Sequence, residues 1–354
     1  MLGCEVPRKD YTRTTISNLG TKIVEHPIAR GFQVDGMLKT IFERELPWEI
    51  RYAKKSSLVV LTGSPYLPSR VRTYVNDIIF GTDDIKRVAM YTPSVLASLA
   101  MVRLEVVSLY THNSENTHTH THTHTKGCVT SCVLSSGHDT SHVVSIFDGH
   151  CSLGKHCVPT YVAGRDTTDW LLSQCKNRQH LRTSDREFIR AVKDASRSGD
   201  MNEFLILPDG QRFSARKIQD ALFNPKDVMP GFCCSKSIGV SEAVRRCIER
   251  VKDKSLRNKV VRNIILEGGS TNAGSVSLFE SRLEKSLSDL NAQVNRTPED
   301  EIDGLEWRSI KGGKIASEII RTWGSDTKGY GQIVSKEEYW EHGPNIFLRK
   351  YGWT

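Results

Sequence analysis

The chain has 354 residues, 38% hydrophobic and 25% charged, with a formal net charge of +8. That length exceeds what one hydrophobic core supports, so two lobes with a cleft between them are expected. No window approaches the roughly 18 consecutive apolar residues of a membrane span, so no membrane partner is expected. Residues 1–10 hold no apolar run of signal-peptide length, which points to an intracellular, reducing location, where the nine cysteines read as thiols.

In chain order, residues 58–62, Leu-Val-Val-Leu-Thr, form a short apolar run ahead of Gly63 and Pro65, the pattern of a buried parallel strand. Residues 69–80 return to helical spacing. Residues 101–126 carry a Thr-His repeat with four histidines, foreign to a packed core. Neutral imidazoles at period two can bind zinc, copper or nickel, yet the same alternation is what a CA dinucleotide repeat encodes. An exposed loop or retained non-coding sequence is expected there.

Residues 127–147 read as two short strands around Ser135-Ser136-Gly137-His138-Asp139-Thr140, a hairpin with a polar tip. Cys128, Cys132, Cys151 and Cys157, with His150 and His156, offer only one loose pair, so buried thiols and no metal site are expected. Residues 184–195 predict a helix opened by a capping box of Ser184 and Glu187. That helix places Arg186, Arg190 and Lys193 on one face able to meet an anion. Between 245 and 262, Arg245, Arg246, Arg250, Lys252, Lys254, Arg257, Lys259 and Arg262 crowd one predicted helical region with only Glu249 and Asp253 interspersed. Without interleaved aromatics this is first a solvated face, and nucleic acid is a secondary candidate partner.

The most informative stretch is 262–274, Arg-Asn-Ile-Ile-Leu-Glu-Gly-Gly-Ser-Thr-Asn-Ala-Gly, an apolar strand running into a Gly-Gly turn. Gly268 and Gly269 permit positive φ and leave no Cβ in a ligand's way, while Ser270 and Thr271 are placed to cap a helix opening near Ser275. Such a turn suits a nucleotide, though it also occurs as an ordinary strand end.

A second element agrees. The segment from Leu134 to Val143 is followed by Asp148-Gly149-His150 and by Ala163-Gly164-Arg165-Asp166-Thr167-Thr168-Asp169. Leu207-Pro208-Asp209-Gly210-Gln211, Ala221-Leu222-Phe223-Asn224-Pro225, the 310–317 segment, Lys336-Glu337-Glu338-Tyr339 and Gly343-Pro344-Asn345-Ile346 come next, in that order. Across residues 21–100 and 127–354 the chain resembles the actin family.

The resemblance implies an α/β, two-lobed actin-like ATPase fold of duplicated RNase H-like domains, with the N-terminal strands and first phosphate hairpin missing. It divides the chain into a remnant of subdomain 2 (1–26), subdomain 1 (27–100 and 308–354), the Thr/His insertion (101–126), subdomain 3 (127–163 and 237–307) and a shortened subdomain 4 (164–236). It implies ATP or ADP with Mg or Ca, held between hairpins whose backbone N–H groups point inward. Gly137, His138, Asp139 and Thr140 match the second phosphate hairpin, Gly164 the segment entering subdomain 4, and Gly268, Gly269 and Ser270 the turn beneath the nucleotide. Arg190, Lys193 and Asp194 match the helix that contacts ribose and adenine, and Glu306 falls where the family often has a lysine.

His142 matches a histidine that orients the attacking water, the one candidate catalytic residue. Ser135 stands where the family has an aspartate that acts on the metal through water, and Thr92-Pro93-Ser94-Val95 fills the place of a water-positioning glutamine. The implied function is a divergent actin-like cytoskeletal protein with an adenine-nucleotide cleft and weak or absent ATPase activity. The alternative is a non-polymerising actin-related subunit of a larger complex, such as a nuclear chromatin-remodelling or motor-adaptor assembly. Actin-family or cytoskeletal partners and a cytoplasmic, cytoskeletal location follow, with the nucleus second.

Overall fold

The computed structural model describes residues 11–16, 20–25, 58–62, 85–101, 130–138, 140–151, 156–175, 204–207, 210–272, 276–295 and 333–351, with isolated runs of one to three residues between them. The Thr/His repeat, the 184–195 helix apart from buried Ile189, and Asp139, Arg190, Lys193, Asp194 and Glu306 lie outside the described residues. Two compact units form, residues 1–100 with 309–354, and residues 101–308.

The first unit opens with an antiparallel pair, β1 (Tyr11–Ile16) and β2 (Gly20–Glu25), in register from Tyr11 opposite Glu25 to Ile16 opposite Gly20. The apolar run Leu58–Thr62 forms β3, which lies parallel to β4 (Arg87–Tyr91), as its continuous hydrophobicity leads one to expect. After β4, Thr92 opens the helical residues 93–101. Its Oγ1 accepts from Val95 N–H at 3.3 Å, and Pro93 stands at the first helical position, where a missing N–H costs nothing.

The second unit is built on a six-stranded sheet. Its strands are β5 (Ser131–Ser136), β6 (Ser141–Phe147), β7 (His150–Cys151), β8 (Cys157–Pro159), β11 (Ile264–Glu267) and β12 (Val294–Asn295). The order is β12-β11-β5-β6-β7, with β8 also pairing β6. β11 runs parallel to β5 and to β12, whereas β6 is antiparallel to β5. Between β8 and β11 come α1 (Gly164–Gln174), the antiparallel pair β9 (Phe204–Ile206) and β10 (Arg212–Ser214), α2 (Ala215–Phe223), α3 (Pro225–Val228), α4 (Val240–Glu249) and α5 (Lys254–Val261). The helix α6 (Val276–Ser286) joins β11 to β12.

α4 buries Val240, Ala243, Val244, Cys247 and Ile248, a stripe at helical spacing. That stripe packs with Cys132, Leu134, Val143, Ile264 and Leu266 of the sheet and Phe279 and Leu283 of α6 in one core. The basic stretch 245–262 is two helices rather than one. Arg250 caps the end of α4, and Asp253 opens α5 by accepting from Leu256 N–H at 2.8 Å. Arg245 holds Asp289 at 2.6 and 2.8 Å, Arg246 holds Glu242, and Arg250 and Arg257 donate to the carbonyls of Cys157 and Val251. These arginines therefore serve the fold, although Arg246 and Arg250 are exposed together with Lys252, Lys254, Lys259 and Arg262.

The chain then returns to the first unit. β13 (Ile333–Ser335) pairs antiparallel with β4, completing the order β13-β4-β3. α7 (Lys336–His342) opens with a capping box: Ser335 Oγ accepts from Glu338 N–H at 3.1 Å, and Ser335 N–H donates to Glu338 Oε2 at 3.0 Å. α8 (Asn345–Tyr351) follows Gly343 at φ +66, and Lys350 reaches back to Glu338 and the Ile333 carbonyl. Tyr339 is buried, stacks on Phe80 at 4.6 Å and donates its hydroxyl to Asp77. Among the described residues no helix is long and apolar enough to cross a membrane, and the seven cysteines are free thiols.

Candidate functional site

β5 and β11 are parallel and finish at the same edge of the sheet, with Ser135 and Glu267 as their last paired positions. In open α/β sheets, ligands bind beyond the carboxyl ends of such strands. From that edge β5 turns back into β6 through residues 137–140, where Gly137 N–H donates to the Thr140 carbonyl at 2.9 Å. Below the turn, Ser136 Oγ and Ser141 Oγ lie 2.7 Å apart. β11 leaves through Gly268 at φ +93 into a single 3-10 turn, Gly269–Asn272.

Three segments distant in sequence meet at the Gly137 carbonyl. It accepts from Gly164 N–H at 3.0 Å and from Ser270 Oγ at 2.9 Å, while Arg165 N–H donates to the His138 carbonyl at 2.6 Å. The first turn of α1 therefore docks onto the hairpin tip. Its remaining end is closed locally: Ala163 N–H donates to Asp166 Oδ2 at 2.7 Å, and the hydroxyls of Thr167 and Thr168 donate to the Gly164 carbonyl. The approach is close enough to exclude side chains. A Cβ on Gly164 would lie 2.5 Å from Ser270 Oγ, and one on Gly268 would lie 2.4 Å from the Ser136 carbonyl oxygen.

The hydroxyls of Ser270 and Thr271 do not cap the following helix, contrary to the expectation from local spacing. Ser270 reaches across to Gly137, and Thr271 Oγ1 donates to the Gly268 carbonyl at 2.6 Å. α6 begins at Val276, close to the expected opening near Ser275. Of the sequence-predicted residues, Gly137, His138, Thr140, Gly164, Gly268, Gly269 and Ser270 share this edge of the second unit.

Beneath the tip runs a row of polar residues that local sequence does not reveal. The ladders pair Glu267 with Ser135 and Ser135 with His142, so the three share one face on adjacent strands. That face is opposite the one on which Leu134, Val143 and Leu266 enter the core. Glu267, Ser135 and His142 are 2%, 8% and 2% exposed. Glu267 is the residue that sequence reasoning quoted without giving it a role. The only signal was a carboxylate ending an otherwise apolar strand.

Burial lowers the His142 pKa to about 4, because desolvation disfavours the imidazolium. Near neutrality it is an uncharged imidazole that can orient a water molecule or take a proton. The native pKa lies below the ordinary His value, so the stabilisation is fully present above about pH 6.5 and is lost as pH falls towards 4. Between those limits stability should fall by about 3 kcal/mol on account of His142. Denaturant unfolding across that range should show this loss in the native chain and a smaller one in His142→Gln. Equal acid sensitivity in both would contradict the assignment.

This arrangement, a glycine-lined edge at the ends of parallel strands, belongs to a recognised class. The sequence matches the Actin family over residues 9–189 and 171–351, so the chain belongs to the actin family and has its two-lobed α/β fold. Within it the protein is a divergent, actin-like member. It is 28% identical over 257 residues to Actin-related protein 2 of Acanthamoeba castellanii, covering 64% of this chain and 62% of that protein. It is 24% identical over 321 residues to Putative actin-29 of Dictyostelium discoideum, covering 82% and 71%. The chain thus spans less than two thirds of the length of the first of these relatives.

Proposed function

We propose that this chain is a divergent actin-like cytoskeletal protein that holds ATP or ADP with its phosphates against the 137–140 tip and the Gly268–Ser270 turn. The observation that carries this reading is the meeting of three segments at the Gly137 carbonyl, with no room for a Cβ at Gly164 or Gly268. Such packing brings the backbone of these strand ends and turns close together without side chains between them. The residues fit a phosphate group. Arg190, Lys193 and Asp194 are assigned to the nucleoside by resemblance.

Hydrolysis should be slow or absent. The neutral His142 can orient a water, but Ser135 brings no charge, and Thr92 with Pro93 opens a helix where the family carries a glutamine. The subdomain limits given above, actin-family or cytoskeletal partners, and a cytoplasmic location belong to the same proposal. A non-polymerising subunit of a larger assembly is the competing reading, and pelleting with a critical concentration separates the two.

The test is titration of the full chain with ATP, followed by calorimetry and thermal unfolding. Saturable binding should raise stability by about 2.7 kcal/mol at a hundredfold excess over Kd. Absence of binding at millimolar ATP would overturn the reading.

A further inference from the structure

We propose that the second unit carries a pocket for a small planar aromatic carboxylate, separate from the strand-end edge. The pocket has a volume of about 450 Å³ and lies between α1, α2 and the 3-10 turn Pro230–Phe232. That volume falls within the roughly 300–1,000 Å³ of small-molecule sites. Its walls follow from the sequence. α2 sends Ile218, Ala221 and Leu222 into the core, so Lys217 and Asp220 line the pocket beside Phe213 of β10. Pro230 cannot continue the ladder of α3, and the chain turns there so that Met229 and Phe232 close another side.

Two features define the ligand. The first is aromatic: Trp170 and Phe213 meet edge to face, with ring centroids 5.3 Å apart at 79°, and Phe232 is 36% exposed at the rim. Walls of this kind favour a further flat ring, edge on or offset-stacked. The second is charge. Asp220 is held by Arg282 at 2.7 Å, whereas Lys217 Nζ lies 5.5 Å from the centre of the Phe213 ring and meets no carboxylate among the described residues. The first turn of α2 carries no acidic residue either. The pocket thus sets one unmatched positive charge beside aromatic walls, which complements a ring bearing a carboxylate. The ring enters between Trp170, Phe213 and Phe232, and the carboxylate accepts from Lys217 Nζ.

The site is distinct from the phosphate edge. α1 docks Gly164 and Arg165 onto the hairpin tip, and Trp170 stands roughly 9 Å further along the same helix axis. The proposal therefore holds whether or not the chain binds nucleotide.

The experiment titrates the full chain with indoleacetate and with its neutral amide, indoleacetamide, by calorimetry. It compares the native protein with Lys217→Met and Phe232→Ala, two substitutions at exposed positions. The native chain should bind the acid roughly tenfold more tightly than the amide. Lys217→Met should bind the two equally while keeping the native affinity for the amide, and Phe232→Ala should weaken both by roughly threefold or more. Saturating ATP should leave the native affinities unchanged. Absence of saturable binding of the acid at millimolar concentration, or a preference for the acid that survives in Lys217→Met, would overturn the proposal. So would displacement of indoleacetate by ATP, which would put the acid at the strand ends. Photolabelling of the native chain with azido-indoleacetate gives an answer independent of variant folding. Labels should fall in the peptides that contain Trp170 or Phe232, and labels confined to other peptides would contradict the assignment.

Discussion

Replacing Gly268 by alanine should destabilise the second unit by about 3 kcal/mol or more and reduce ATP affinity at least about tenfold. Two effects add. Gly268 sits at φ +93, a conformation that L side chains rarely adopt, and a Cβ there would lie 2.4 Å from the Ser136 oxygen and 2.7 Å from its carbonyl carbon. Both neighbours are backbone, so no rotamer change relieves the contact. Relief requires β5 to move away from the turn, which breaks the bond from Ser270 Oγ to the Gly137 carbonyl. Gly269→Ala is the control, because a Cβ at 269 meets nothing within 4 Å. It should cost no more than about 1 kcal/mol. Denaturant unfolding of both variants checks this, and equal losses at 268 and 269 would show that the close approach does not exist.

Phe279→Ala should cost about 4 kcal/mol by a different route. Phe279 is fully buried on α6 and packs its ring 4.9 Å from that of Phe223, which carries Arg282 over its face at 4.3 Å. The same cluster receives α4, whose N-cap Gly239 passes so close to the Phe223 carbonyl that a Cβ would lie 1.8 Å from it. A void beside Phe223 cannot readily collapse when the backbone around it is already in contact. Stability should fall while the ATP affinity of the folded fraction stays unchanged, because the defect lies in the helical core and not at the strand ends. A loss under 1 kcal/mol, or selective loss of binding, would contradict this division between core and site.

The elements that were legible in the sequence are those with local causes. Leu58–Thr62 announces a parallel strand by its apolar run, and residues about 135–140 announce a hairpin by turn formers between β-branched runs. What escaped has non-local causes. Ser270 and Thr271 look like helix caps to a reader of spacing, yet Ser270 bonds to a carbonyl 133 positions away. The charges of 245–262 hid the break at Asp253, whose side chain opens a new helix. Glu267 has no local signal of its neighbours, since only inter-strand register pairs it with Ser135. The nucleoside side rests on resemblance, with Arg190, Lys193 and Asp194 outside the described residues.

The central claim is that the hairpin tip and the Gly-Gly turn together hold the phosphates. Hydrogen exchange of the full chain with and without saturating ATP and Mg tests it most directly. The account expects added protection concentrated in peptides spanning 136–142 and 267–271, with little change in α4 and α5. Bound ATP that leaves both of those peptides unprotected, while slowing exchange elsewhere, would contradict it.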